Sequence, residues 1–311
     1  MYDFKNIFYF HATFDKHGVI SDIGGKGLVD SNIATNTLIG SNFAELLFWQ
    51  HKENISLNIA NSIKIAATGK PVEIGGSLGR NHATGLGVIY VCERAMEMNN
   101  MVMSGSRIVV QGFGNVGSFA AKFAFERGAR IIAVSDVTGG IFNGDGLNIP
   151  DVIDYVKENK GVKGYSKAQP ITNEQLLETE CDALLPCALE GQIDIHNAEK
   201  IKFKLIVEGA NGPVTNAATK ILHKRGVFIA PDVVANGGGV IVSYFEWVQD
   251  IMSFFWDEAD VDFKLKGIIL KAFDNVYKLH KEKDVDMRSA ALAVSIARLE
   301  KAMLLRGLYP R

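Results

Sequence analysis

The segment Gln111-Gly112-Phe113-Gly114-Asn115-Val116-Gly117 carries three glycines at GxGxxG spacing. That spacing suits phosphate binding rather than bond making. Gly112 permits a tight turn, Gly114 lets the backbone approach a pyrophosphate, and Gly117 lets a helix and a strand pack closely. Phe113, Asn115 and Val116 complete the turn, where unpaired N–H groups at a helix start attract anions. The same spacing also makes bare turns with no ligand, so the flanking elements must decide. Asp136 follows nineteen residues after Gly117. A carboxylate at the end of the next strand can accept hydrogen bonds from the adenosine ribose and repel a 2′-phosphate. The pair predicts NAD, with NADP possible. An aspartate there can equally be a turn former.

Two asparagines and a serine stand at similar places. Asn211 lies in Gly209-Ala210-Asn211-Gly212-Pro213 and Asn236 in Asn236-Gly237-Gly238-Gly239. Side-chain amides donate and accept without adding charge, which suits a carboxamide ligand, although each asparagine alone is also a turn former. Ser243 follows the glycine run, just inside a helix. Its hydroxyl could meet a substrate carboxylate or bond back to its own turn. His196 and His223 sit in charged helical segments and are expected at the surface. No HxxxH or Cys/His cluster suggests a metal, and no GxSxG suggests a serine hydrolase.

These residues need elements that place them together. Arg107–Gly112 is a short apolar run ending in glycine, residues 115–128 read as a helix, and residues 129–136 as a second strand. Residues 182–188, 204–211 and 227–236 are three further strands, with helices around 150–159, 194–200 and 214–225. Residues 81–100 read as a helix with Val88, Val91, Cys92, Ala95 and Met96 on one face, and 238–311 as all helix. Apolar strands alternating with helices predict an α/β fold: a Rossmann-like, doubly wound parallel sheet with a C-terminal helical segment. Ligands of such sheets lie beyond the carboxyl ends of the strands, where the glycines and asparagines fall.

Composition narrows the classes. The chain has 311 residues, 47% of them apolar, and a formal net charge of -2. No basic stripe is visible, which argues against nucleic-acid and membrane-surface partners. The three cysteines (Cys92, Cys181, Cys187) show no CxxC spacing, so a reduced, cytoplasmic setting is expected. The first residues show neither a signal-peptide pattern nor a membrane span.

Residues 68–88, 111–136, 207–215, 231–249 and 286–310 together resemble glutamate dehydrogenase, and Ser243-Tyr-Phe-Glu-Trp-Val-Gln249 resembles the glutamate enzyme rather than its leucine, phenylalanine or valine relatives. The resemblance implies that Thr84 and Asn115 contact the cofactor. It places Asn211 and Asn236 beside the nicotinamide ribose and ring, and Ser243 at the substrate side-chain carboxylate. It implies NAD-linked oxidative deamination of L-glutamate to 2-oxoglutarate and ammonia, with a lysine to activate water and a carboxylic acid to move protons. It also implies homo-oligomers, which the family assembles largely through its N-terminal domain.

Residues 67–311 are accordingly expected to be the dinucleotide-binding domain and residues 1–66 a remnant or divergent N-terminal substrate region. Catalytic residues remain unassigned there. Lys26 in Gly24-Gly25-Lys26-Gly27 stands too close to the Gly75–Arg80 segment to match the family lysine. The best alignment of residues 23–36 puts Asn32 where the family has its aspartate, with Asp30 nearby as a substitute. Two readings stay open: a glutamate dehydrogenase, or a catalytically impaired dinucleotide-binding fragment or pseudoenzyme of that family.

Overall fold

The computed structural model describes residues 68–307 and the backbone of residues 11–14 and 20–24. The chain divides into two units, Met1–Ala67 and Thr68–Arg311. In the first, β1 (His11–Phe14) pairs antiparallel with β2 (Ile20–Gly24). Lys26, Asp30 and Asn32 lie outside the described residues.

The second unit is built on a seven-stranded sheet: β3 (Arg107–Gln111), β4 (Arg130–Asp136), β5 (Gly139–Phe142), β6 (Gln169–Ile171), β7 (Ala183–Pro186), β8 (Leu205–Val207) and β9 (Phe228–Ala230). The spatial order is β6-β5-β4-β3-β7-β8-β9. Strands β4, β3, β7, β8 and β9 are parallel neighbours. The chain builds outwards from β3 in both directions, so the strand order reverses between β3 and β7, where such sheets open a ligand crevice.

The helices are α1 (Ala83–Met98), α2 (Asn115–Glu126), α3 (Ile149–Asn159), α4 (Asn173–Leu177), α5 (Asn216–Lys224), α6 (Asp232–Ala235), α7 (Gly238–Met252), α8 (Glu258–Lys283) and α9 (Met287–Arg306). Side chains of the central strands divide between two cores. Ile108, Val110, Ile131, Val134, Ala183 and Leu185 enter the core that contains α1 and α2. Val109, Ile132, Leu184 and Ile206 enter the core under α4 and α5. Both faces of the sheet are therefore covered, which explains why the strands read as continuous apolar runs.

The structure departs from the sequence reading in four places. First, β5 and β6 run antiparallel at one edge. Only Val137 and Thr138 separate β4 from β5, and a parallel return needs a crossover of about a dozen residues. Second, the run 227–236 is a three-residue strand followed by α6. Pro231 cannot donate to a ladder and stands as the N-cap instead. Third, the segment 194–200 forms only a short 3-10 turn, Ala198–Lys200. Fourth, α1 is not one-faced: Gly85 through Cys92 are all buried, because α2, α7 and α8 pack around it.

Candidate functional site: a cleft at the strand ends

The glycine turn has the shape its sequence requires. Gly112 sits at φ +91, and a Cβ there would lie 2.7 Å from Ala188 Cα. A Cβ on Gly117 would lie 1.7 Å from the Gly112 carbonyl oxygen. Gly114 meets nothing within 4 Å, so the open side of the turn faces space. Gly114 is also the N-cap of α2, and no side chain caps this 12-residue helix. Its first N–H groups and the positive end of its dipole therefore face that space, a cradle that fits a pyrophosphate. Phe113 is buried in the core, so only its backbone can serve a ligand.

The start of α1 closes one side of the cradle. Asn115 Nδ2 donates to the Asn81 carbonyl at 3.0 Å, and a Cβ on Gly85 would lie 2.8 Å from the Val116 carbonyl oxygen. Thr84 is half-buried beside it, with Oγ1 2.5 Å from where a Gly239 Cβ would stand. Gly238 approaches still closer, because its Cβ would lie 2.0 Å from the Ala83 carbonyl. The glycine run at the start of α7 thus lets two helix N-termini meet.

Arg80 and Ser243 extend this rim. Arg80 Nε donates to Ser243 Oγ at 2.9 Å, and Arg80 Nη1 lies 3.4 Å from the Cβ position of Gly239. The hydroxyl that the sequence singled out is thereby oriented by a guanidinium, a group suited to carboxylates. The segment before Arg80 is tied to α7 by charge. Lys70 Nζ lies 2.9 Å from Glu246 Oε1 and 2.5 Å from Asp250 Oδ2. Glu246 also accepts from the Gly69 and Lys70 N–H groups. Burial pushes the Glu246 carboxyl up, but these donors outweigh it and hold it below the usual range. Gln249 Nε2 donates to Ser77 Oγ at 3.0 Å in the same seam.

Just before the glycine run of α7, Asn236 Nδ2 donates to Asn211 Oδ1 at 2.7 Å. The two strand-end amides proposed from sequence are therefore one unit. Val116 Cγ1 and Cys187 Sγ flank Gly209, at 3.4 and 2.5 Å from its Cβ position, which joins this pair to the glycine turn. Burial raises the Cys187 thiol to about 12, so it is no nucleophile at neutral pH. Behind the amides, Glu208 is fully buried and Arg288 bridges it to Asp232. Burial pushes Glu208 up to about 7 against the pull of Arg288.

Asp136 ends β4, as expected, yet both its oxygens are engaged. Oδ1 accepts from the Thr138 N–H and hydroxyl, and Oδ2 from the Val162 N–H at 2.8 Å. It shapes the β4–β5 turn, and ribose binding would use its remaining lone pairs. His196 and His223 are exposed. Among the described residues, His82, Glu258 and Asp262 hold ligand-type atoms within 4.8 Å of one another. His82 Nε2 lies 3.1 Å from Asp262 Oδ1, a contact that ties the start of α1 to α8.

The sequence reading missed Arg80, Glu208, Asp232 and Arg288. A charged residue inside an apolar run was a signal for Glu208, and a lone arginine opening an apolar helix was one for Arg288. Their partnership spans eighty positions and has no local mark.

The fold and the cradle define a Rossmann-like, doubly wound α/β domain. The family described as Glutamate/Leucine/Phenylalanine/Valine dehydrogenase matches residues 75–307, and the chain belongs to that family. It is 47% identical over 268 residues to the glutamate dehydrogenase of Thermotoga maritima, covering 86% of this chain and 64% of that protein. It is 41% identical to the NAD-specific glutamate dehydrogenase of Staphylococcus aureus, covering 85% and 63%. The chain therefore spans slightly less than two thirds of these relatives. The hetero-hexameric glutamate dehydrogenase of Thermus thermophilus superposes with a TM-score of 0.76 at 32% identity, over 82% of this chain and 61% of that one. Glutamate dehydrogenase of Peptoniphilus asaccharolyticus superposes with a TM-score of 0.68 at 36% identity, over 78% and 57%.

Proposed function

We propose that the chain is a glutamate dehydrogenase-type oxidoreductase, using NAD to deaminate L-glutamate oxidatively to 2-oxoglutarate and ammonia. The observation that carries this reading is the Arg80–Ser243 contact on the rim of the glycine cradle. A hydroxyl oriented by a guanidinium beside a dinucleotide-shaped turn suits an acidic substrate side chain. The cradle of Gly112, Gly114 and Gly117 holds the pyrophosphate, Thr84 and the backbone from Phe113 to Val116 line it, and Asp136 faces the adenosine ribose. Asn211 and Asn236 hold the carboxamide end. The nicotinamide, when bound, supplies the acceptor for the hydride of Cα.

Residues 67–311 form the dinucleotide-binding domain in this reading, and residues 1–66 are a remnant or divergent N-terminal substrate region. The relatives named NAD-specific favour NAD over NADP. The three cysteines are all free, which fits a reducing cytoplasm. No helix among the described residues is long and apolar enough to cross a membrane. Leu292, Ile296 and Leu299 stand exposed along α9, an apolar surface that supports self-association.

The test is to titrate the purified chain with NADH and to follow glutamate-dependent NAD reduction in the same sample. Dinucleotide binding together with reduction specific to glutamate supports the reading. A chain that binds no dinucleotide overturns it.

A further inference from the structure

One guanidinium at the start of the last helix reaches the roots of both asparagine loops. Glu208 stands three residues before Asn211, and Asp232 four before Asn236. Arg288 Nη2 donates to Glu208 Oε1 at 2.6 Å and Oε2 at 2.5 Å, while Nη1 donates to Asp232 Oδ1 at 2.8 Å. Two backbone groups tighten the link. The Asp232 N–H donates to Glu208 Oε2 at 2.7 Å, and the N–H of Gly212, next after Asn211, donates to Asp232 Oδ2 at 2.7 Å. Asp286 caps α9 through the Ser289 N–H at 2.9 Å, so the helix turn that carries Arg288 is itself anchored.

We propose that Arg288 is the positioning residue that sets the Asn211–Asn236 pair, and with it the nicotinamide end of the cleft, from the first turn of α9. The proposal rests on the dinucleotide reading of the cleft. Separation of the two loop roots fixes whether Asn236 Nδ2 can reach Asn211 Oδ1, and that separation is spanned by the planar fork of Arg288. An ammonium on a shorter side chain lacks the two separate nitrogens with which Arg288 meets the two carboxylates. The glycine cradle is held by other contacts: the Asn115–Asn81 hydrogen bond and the close packing at Gly85, Gly112 and Gly117. The pyrophosphate end therefore has supports of its own, meeting the amide loop where Val116 packs on Gly209, and the two ends of the ligand can be separated by experiment.

The experiment compares the full chain with Arg288→Lys by titration with NADH and with ADP-ribose, which lacks the nicotinamide. In the variant, NADH affinity should fall about tenfold, a loss of about 1.4 kcal/mol. ADP-ribose affinity should hold within about twofold, as for independent sites. The fluorescence of bound NADH should also move towards that of free NADH. Equal loss for both ligands, or loss for neither, overturns the proposal. An unmodified chain that binds neither ligand overturns the dinucleotide reading itself. If Arg288→Lys does not fold, the double variant Glu208→Gln with Arg288→Met removes the buried Glu208–Arg288 pair and leaves only the partly exposed Asp232, and it should show the same split between NADH and ADP-ribose. Equal binding of both ligands by that variant, at wild-type strength, again refutes the role of Arg288.

Discussion

Arg80 Nε donates to Ser243 Oγ at 2.9 Å across 163 positions of chain, and this contact gives the serine a direction that its helix alone does not. A helical serine can turn its hydroxyl back to its own carbonyls. Here the guanidinium takes one lone pair and leaves the proton to donate outwards. Ser243→Ala should weaken glutamate use, since a hydrogen bond to a charged group is worth roughly 1.5–3 kcal/mol, or tenfold and more. Steady-state kinetics with glutamate and leucine would show it. An unchanged KM for glutamate would remove Ser243 from the site.

The cradle makes a sharp distinction between two of its glycines. Gly117→Ala would force a Cβ to 1.7 Å from the Gly112 carbonyl, so the variant should lose about 1–3 kcal/mol of stability or more. Gly114→Ala meets nothing within 4 Å. That variant should lose only the modest stability of a weaker N-cap, about 1 kcal/mol, yet bind NADH more weakly, because the methyl occupies the phosphate's approach. Thermal melts paired with NADH titrations check both. Equal NADH binding by Gly114→Ala and the parent would empty the cradle of its assigned role.

Cofactor choice turns on Asp136. The chain should bind NAD more tightly than NADP, and Asp136→Ser should narrow the gap by relieving repulsion of the 2′-phosphate. The same change strips an acceptor from the Val162 N–H, so the variant should also be less stable by about 1–3 kcal/mol. Equal affinity for the two cofactors in the parent would mean that Asp136 serves only its turn.

Glu208 sets a pH dependence of definite sign. Burial raises its carboxyl to about 7, well above the usual glutamate range. The folded state then holds this proton more tightly than the unfolded state does. The stabilisation is fully present below the unfolded value and is lost as pH rises through about 7. Glu208→Gln should flatten this part of the stability profile, read from urea midpoints between about pH 5 and pH 8. Parallel profiles for the two proteins would place the proton elsewhere.

Much of the fold was legible because parallel strands buried on both faces must be apolar throughout, and helices between them must be amphipathic. Residues 107–112 and 129–136 showed this plainly. The antiparallel edge was not legible, because β5 and β6 are short and polar-flanked. The end of β9 was misread since Pro231 breaks an apolar run whose helical continuation, Asp232–Ala235, is only four residues long.

The sequence by itself determined the glycine cradle, since GxGxxG between a strand and a helix has few ways to fold without steric clash. It also marked Asn211, Asn236 and Ser243 by their places beside glycines at strand ends. Only the tertiary structure decided which of these meet. The Asn211–Asn236 hydrogen bond, the Arg80–Ser243 contact and the Arg288 bridge between Glu208 and Asp232 join residues 25 to 163 positions apart. Such pairings leave no local periodicity, because charge complementarity acts through space and the chain between the partners is free to vary.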